Sequence, residues 1–374
     1  MEIIGIIAEY NPFHNGHLYH INKIKEMYKD SFIVVVLSGY FTQRGEISVL
    51  TKWDKADIIL DYGVDLVVEL PFNYSTQSAE NFAYGAVSIL NMLGCTHLVF
   101  GSESNDIDNL ISIAKKMSGK KYNDLINKNM NIGNSYPKAI SNTLKKLNID
   151  DISTPNDILG IEYIKSINKL KSNMIPITIK RTNDYHDKNI NSVIASASSI
   201  RNNINNIDKI KDTMPKESLN KLINISIDNL FDILKYQINT DDNLNLYKDV
   251  DEGIENKLKK EINNVDSIKD LINNIKSKRY TYNRLNRMFI HIITKHKKED
   301  SYKDIKYLRI LGMNNNGKNI LNTIKKKTNI PIISKYKKEY NELLKEDIKI
   351  TGIYSQLIKD KTLIDREYKS SIIK

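Results

Sequence analysis

Four apolar runs constrain the first half of this chain most strongly: Ile3 to Ala8, Phe32 to Leu37, Gly63 to Pro71 and His97 to Ser102. They are short, rich in β-branched residues and nearly uninterrupted by polar positions, as expected of central strands buried on both faces. Between them, Leu18 to Met27, Trp53 to Leu60 and Glu80 to Leu93 carry apolar residues at helical spacing. This alternation predicts an α/β fold, an open, Rossmann-like parallel sheet with helices on both faces, with Ile175 to Lys180 as its last strand. From about residue 202 the pattern changes. Leu and Ile recur every three or four positions between Asn- and Lys-rich turns, which predicts a mostly helical region to about residue 300 and a smaller mixed tail. The Asn-rich patches 202–206 and 314–316 read as loops. Two regions are therefore expected, 1–201 and 202–374.

At 374 residues the chain has ample length for a sizeable core. Cys95 is its single cysteine, so no internal disulfide can form. No apolar run approaches the roughly 18 residues that span a bilayer, and no leader-like segment stands before the first strand. A cytoplasmic protein with no membrane partner is the expectation. The net charge of +11 is unevenly placed: residues 1–200 carry 20 basic against 21 acidic residues, residues 201–374 carry 36 against 24. An AT-rich genome inflates lysine everywhere, not in one half. The asymmetry points to a polyanion-binding second half.

The first strand ends at Asn11-Pro12, and His14-Asn15-Gly16-His17 follows where a helix should begin. Two His three apart can be incidental. On a strand-to-helix turn, however, free backbone N–H groups and the positive helix end suit a phosphate. Gly16 permits close backbone approach, and two imidazoles can donate to charge developing on an α-phosphate. That pattern suits adenylyl transfer. Ile194 to Arg201 supplies a second part: small hydroxyl residues at a helix start, with Arg201 one turn in, make a cradle for β- and γ-phosphates. Attack on a triphosphate needs donors on both sides of the scissile bond, so the two signals reinforce one another.

Other segments carry weaker signals. Ser38 to Glu46 follows the second strand directly, and there Gln43 and Arg44 can grip a ligand, with Lys52 following on the next helix, unless the loop is an ordinary solvated connection. Gly101-Ser102-Glu103 ends a strand, as a nucleotide-approaching turn or a plain one. Thr154 to Gly160 reads as a capped helix start, with the Asn156 amide able to read a nucleotide. In the basic half, Leu271 to Lys298 contains no acidic residue. Leu285, Met288, Phe289, Ile292 and Ile293 form one helix face there, while Arg284, Arg287, His291 and Lys295 form another. Solvated faces normally mix charge signs, so this stripe reads as an RNA contact, with Tyr280 and Tyr282 placed to stack on unpaired bases.

The runs Ala8 to His17, Gln43 to Glu46, Gly63 to Pro71, Phe100 to Glu103, Pro155 to Gly160, Ala195 to Arg201, Lys278 to Thr281 and Tyr307 to Gly312 resemble, in this order, the bacterial tRNA(Met) cytidine acetate ligases. The resemblance implies a nucleotidyltransferase-like ATP-binding domain followed by a tRNA-binding region. It implies that ATP and acetate form acetyl-adenylate, and that the acetyl group then passes to the N4 amine of the wobble cytidine of elongator tRNA(Met), giving N4-acetylcytidine, AMP and pyrophosphate. Carried over by motif, the ATP site is Ile7, Ala8, Glu9, Tyr10, Asn11, Pro12, Phe13, His14, Asn15, Gly16, His17, Leu18, Tyr19, His20, Gly101, Asn156, Arg181 and Thr182. His14, His17 and Arg201 are the expected catalytic groups, and Lys276, Lys278, Arg279, Tyr280, Arg284 and Arg287 the expected tRNA contacts. No metal cage is expected, and Mg²⁺ enters only as the counter-ion of ATP. Tyr40 and the serines of Ser196 to Ser199 depart from the smaller polar residue and the threonine that the resemblance leads one to expect. Two other readings share the His turn: a cofactor adenylyltransferase of the pantetheine-phosphate or nicotinate-nucleotide kind, and a non-catalytic RNA-binding protein on the same fold.

Overall fold

The apolar runs become strands of one sheet. A computed structural model describes residues 2–132, 134, 136–147, 149, 154–181, 193–300 and 304–374. Its strands are β1 (Ile3–Ala8), β2 (Phe32–Ser38), β3 (Leu66–Leu70), β4 (His97–Ser102), β5 (Ile175–Lys180), β6 (Leu308–Met313), β7 (Ile332–Ile333) and β8 (Ile372–Ile373). They order as β5-β4-β1-β2-β3-β6-β7, with β8 also on β6. The first five are mutually parallel. β1 lies between β2 and β4, so the strand order reverses beside it, and open α/β sheets bind ligands at the carboxyl ends flanking such a point.

Both faces of β2 are buried, as its uninterrupted run predicts. Ile33, Val35 and Leu37 join one core and Val34 and Val36 the other. The first core includes Ile21 and Ile24 of the Asn15–Met27 helix and Ile58 and Ile59 of the Lys52–Asp61 helix. It continues without a break into Leu234, Leu271 and Phe289 of the helical region. The second core holds the Ala79–Met92 and Pro155–Lys169 helices. Composition therefore changes near residue 202 while the apolar core runs on.

The tail contributes more than the sequence suggests. β6 pairs antiparallel to β3, matching Leu66 with Met313 and Val68 with Ile310, and so covers an edge that would otherwise expose unpaired main-chain groups. Arg309 interrupts the apolar pattern of this strand, yet it is 1% exposed. Its Nη2 donates to the Glu367 carbonyl at 2.8 Å and lies 3.8 Å from the carboxylate. Lys52 Nζ meets Glu69 at 2.8 Å and Glu367 at 2.9 Å, both pairs buried. Burial and the nearby Glu69 carboxylate push the Asp347 carboxyl up to about 7, while Tyr307 donates to it at 2.6 Å. Tyr40 belongs to this packing, stacked on Tyr354 at 4.3 Å between ring centres. The 314–316 patch is a helix start rather than a loop: Asn314 caps the Asn315–Ile324 helix by accepting from Gly317 N–H.

Candidate active site

A cavity of about 260 Å³ opens at the carboxyl ends of β1 and β4. Its floor comes from the turn after β1. Tyr10 takes a left-handed φ of 45°, and the Asn11 amide bridges to a neighbouring segment, donating to the Ile47 carbonyl at 3.2 Å and accepting from Val49 N–H at 2.8 Å. His14 then caps the Asn15–Met27 helix.

The two His rings stack with centres 3.7 Å apart. Gly16 N–H donates to His14 Nδ1 at 3.0 Å, and His14 N–H donates to His17 Nδ1 at 3.3 Å. A Cβ at Gly16 would stand 2.9 Å from His14 Cε1, so the stack requires glycine there. Burial, reinforced by Arg181 and Arg201, lowers the His14 pKa to about 3. Burial and the neighbouring His14 hold His17 well below its ordinary value. Each ring is therefore neutral with Nδ1 as acceptor, which leaves its proton on Nε2. The pair is a set of two neutral Nε2–H donors. His20, lowered to about 4 by burial and Arg181, also lines the cavity, and its Nε2 has no partner among the described residues.

The opposite wall is organised by Glu103. Its carboxylate accepts from Asn156 Nδ2 at 2.5 Å and from the main-chain N–H groups of Asn156 and Asp157 at 3.2 Å each, and lies 3.8 Å from Arg181 Nε. One acidic side chain thus satisfies the first turn of the Pro155–Lys169 helix and holds two expected nucleotide contacts. Gly101 faces Arg181 closely: a Cβ there would lie 3.3 Å from Arg181 Cγ. Ser196 caps the Ala197–Asn202 helix by accepting from Ser199 N–H at 3.1 Å. Arg201 lines the cavity, but its charge is already met: Nη2 contacts both Glu46 oxygens at 2.8 Å, and Nη1 donates to the Asn11 carbonyl at 2.6 Å. In this state Arg201 braces the wall.

Of the residues carried over by motif, Ile7, Ala8, Glu9, Tyr10, Asn11, His14, Gly16, His17, Tyr19, His20, Gly101, Asn156 and Arg181 line the cavity. Pro12, Phe13, Asn15 and Leu18 do not. Phe13 is fully buried against Tyr10, His17 and Tyr62. Asn15 spends its amide on the carbonyls of Val193 and Asp212, and Leu18 packs on the core. Thr182 lies outside the described residues. Sequence reading missed Phe82, Leu159 and Tyr163, which line the cavity from helices where apolar spacing marks them only as core. Among the described residues no three His, Cys, Asp or Glu side chains come together in a way that could hold a metal ion.

The basic stripe lies on the Tyr282–Ile293 helix, and here the structure corrects the sequence reading. Tyr280 is 4% exposed, with its hydroxyl donating to the Asp251 carbonyl at 2.6 Å, so its ring is not available to a base; Tyr282 is 46% exposed. The acid-free window is neutralised from outside. Asp249 lies 3.6 Å from Arg287 and 3.9 Å from Arg284, Asp251 lies 3.2 Å from Arg284, and Glu252 lies 2.9 Å from Arg279. His291 is buried between Asp249 and the Thr76 carbonyl. Lys276 and Lys278 remain exposed. The helix also touches the cavity wall. At Gly45, φ is +74°, and a Cβ would lie 2.4 Å from Arg287 N, so the Gln43–Glu46 turn rests directly on the helix backbone.

Comparison with known proteins identifies the family. The family described as HIGH Nucleotidyl Transferase matches residues 1–369. A Clostridium novyi protein named tRNA(Met) cytidine acetate ligase is 41% identical over 100% of this chain and 99% of its own. One of the same name from Caldicellulosiruptor saccharolyticus is 42% identical, over 96% and 95%. The crystal structure of apo Thermotoga maritima TmcAL superposes with a TM-score of 0.92, at 30% identity over 100% of this chain and 99% of that one. The same Thermotoga maritima protein bound with alpha-thio ATP gives 0.90 at the same identity and coverage. Sheet order, His-paired turn and full-length likeness together place the chain in the HIGH nucleotidyl transferase family, among the tRNA(Met) cytidine acetate ligases.

Proposed function

We propose that this chain uses ATP and acetate to acetylate the N4 amine of the wobble cytidine of elongator tRNA(Met). The observation that carries the reading is the stacked pair of neutral Nε2–H donors at a helix N-terminus inside the cavity. Acetate is a carboxylate at neutral pH and needs no base to attack. Its oxygen forms a bond to the α-phosphorus, the bond to the bridging oxygen breaks, and pyrophosphate leaves. Charge gathers on the α-phosphate oxygens in the transition state, where fixed neutral donors stabilise it without losing a proton. Arg181 adds positive charge beside them, held by Glu103. Mg²⁺ accompanies ATP as its counter-ion. The acetyl-adenylate so formed has a good leaving group, AMP, for attack by the amine.

The exposed Lys276 and Lys278, with Arg279 behind a solvent-screened pair to Glu252, form the tRNA contact in this reading, while Arg284 and Arg287 serve it from within their carboxylate pairs. Purified protein given ATP, labelled acetate and unmodified tRNA(Met) should yield labelled N4-acetylcytidine. Absence of label from the tRNA refutes the proposal. His17→Ala should abolish labelling while leaving tRNA binding in place; labelling at the wild-type rate would refute the role of the His pair.

A further inference from the structure

The acetyl-transfer half of the reaction needs a base, and the His pair cannot be one. Both Nδ1 atoms are occupied by main-chain N–H groups, and a second proton on either ring would place positive charge beside Arg181. Among the described residues that line the cavity, the carboxylates are Glu9 and Glu46. Glu46 is held through both oxygens by Arg201. Glu9 is different. Its Oε1 accepts from Gln43 N–H at 2.6 Å, and among the described residues Oε2 makes no hydrogen bond.

We propose that Glu9 takes the proton from the attacking amine during acetyl transfer, an inference that rests on the tRNA-acetylating reading above. Glu9 is fixed at both ends. Buried Lys55 donates to its carbonyl at 3.0 Å, and to those of Ser38 and Gly39 at 2.7 Å each, clamping the carboxyl ends of β1 and β2 together. The Gln43 turn holds its carboxylate, and the tip of that same turn, Gly45, rests on the basic helix. The wall that carries Glu9 is therefore the part of the cavity that abuts the basic helix.

The chemistry requires such a group. The cytosine amine is delocalised into its ring and is a poor nucleophile, so its proton must depart as the new bond forms. The N4 lone pair attacks the acetyl carbonyl carbon and a C–N bond forms. The bond from that carbon to the phosphate oxygen breaks, AMP leaves with the electron pair, and the N4 proton passes to the Glu9 carboxylate, which returns it to solvent. Glutamate also matches the exocyclic amine of cytosine as a hydrogen-bond acceptor. Burial, with Glu46 adding to it, raises the Glu9 pKa against the Gln43 N–H hydrogen bond, Arg44 and Lys55, making it a better proton acceptor than a solvated carboxylate.

Two half-reactions measured on the full chain test this. Acetate-dependent exchange of pyrophosphate into ATP reports adenylate formation, and single-turnover transfer to tRNA(Met) reports the second step. Glu9→Gln keeps an oxygen for Gln43 N–H and removes the base. The ratio of transfer to exchange should fall by roughly 10²–10⁴-fold, the acid limb of the transfer pH profile should vanish, and Glu9→Asp should restore part of the rate. Transfer and exchange falling together, or transfer untouched by Glu9→Gln, overturns the role of Glu9 while wild-type transfer upholds the tRNA reading. Wild-type protein that exchanges pyrophosphate but never acetylates tRNA overturns that reading, and this inference with it.

Discussion

Gly45→Ala tests the joint between cavity and basic helix. Gly45 has φ +74°, where an L side chain costs about 1–2 kcal/mol. The new Cβ would lie 2.4 Å from Arg287 N and 2.5 Å from the Asn286 carbonyl carbon, backbone atoms of a buried helix that cannot rotate away. Relief requires turn and helix to separate by about 1 Å, to ordinary contact distance, and overpacking of that kind costs about 1–3 kcal/mol. The two costs together give a destabilisation of about 2–5 kcal/mol. Separation also moves Gln43 N–H, which holds Glu9, and Glu46, which holds Arg201. Denaturant unfolding should show the loss of stability, and the transfer step should slow more than pyrophosphate exchange. A variant within about 0.5 kcal/mol of wild type, with both half-reactions unchanged, would refute the claim that the turn is seated on the helix.

Four further outcomes are expected. Because His14 and His20 are held to about 3 and about 4 in the folded chain, each ring binds its proton only in the unfolded chain below pH 6.5. Their contribution to stability should fall as pH drops from there toward 4, by up to about 1.4 kcal/mol per pH unit for each ring, against the opposite trend of Asp347, raised to about 7. His20→Asn should therefore lose stability less steeply than wild type over that range, and parallel profiles would contradict this. Lys52→Met leaves Glu69 and Glu367 facing one another without their shared cation, so unfolding should show a loss of about 3–5 kcal/mol. Glu103→Ala releases Asn156 and Arg181 together and should raise the KM for ATP more than it lowers kcat, as initial-rate kinetics will show. Replacing Lys276 and Lys278 by Ala should weaken tRNA binding across salt concentrations and reduce the logarithmic salt slope by about one for each lysine replaced.

Local signals account for what was legible in the chain. β2 and β5 appear where their apolar runs lie, and a helix begins at the His turn as the strand break implies, because these features depend on residues within a few positions of one another. β6 escaped because Arg309 breaks its pattern, and the compensating Glu367 lies 58 residues away. Tyr280 looked like a stacking residue because its neighbours are basic, whereas its hydroxyl partner is the Asp251 carbonyl.

By itself the sequence determined the alternating α/β order, the His-Gly-His turn and the charge asymmetry, since strand periodicity, capping and net charge are properties of contiguous residues. Tertiary structure alone decided which charges face a ligand. Asp249 and Asp251 come back to pair with the basic helix, Glu46 takes up Arg201, and Glu9 keeps one carboxylate oxygen unengaged among the described residues. A buried charge must be matched by a partner, and folding supplies that partner from any distance along the chain. The availability of a charged group for function therefore follows from its packing, and its spacing in the sequence leaves the choice open.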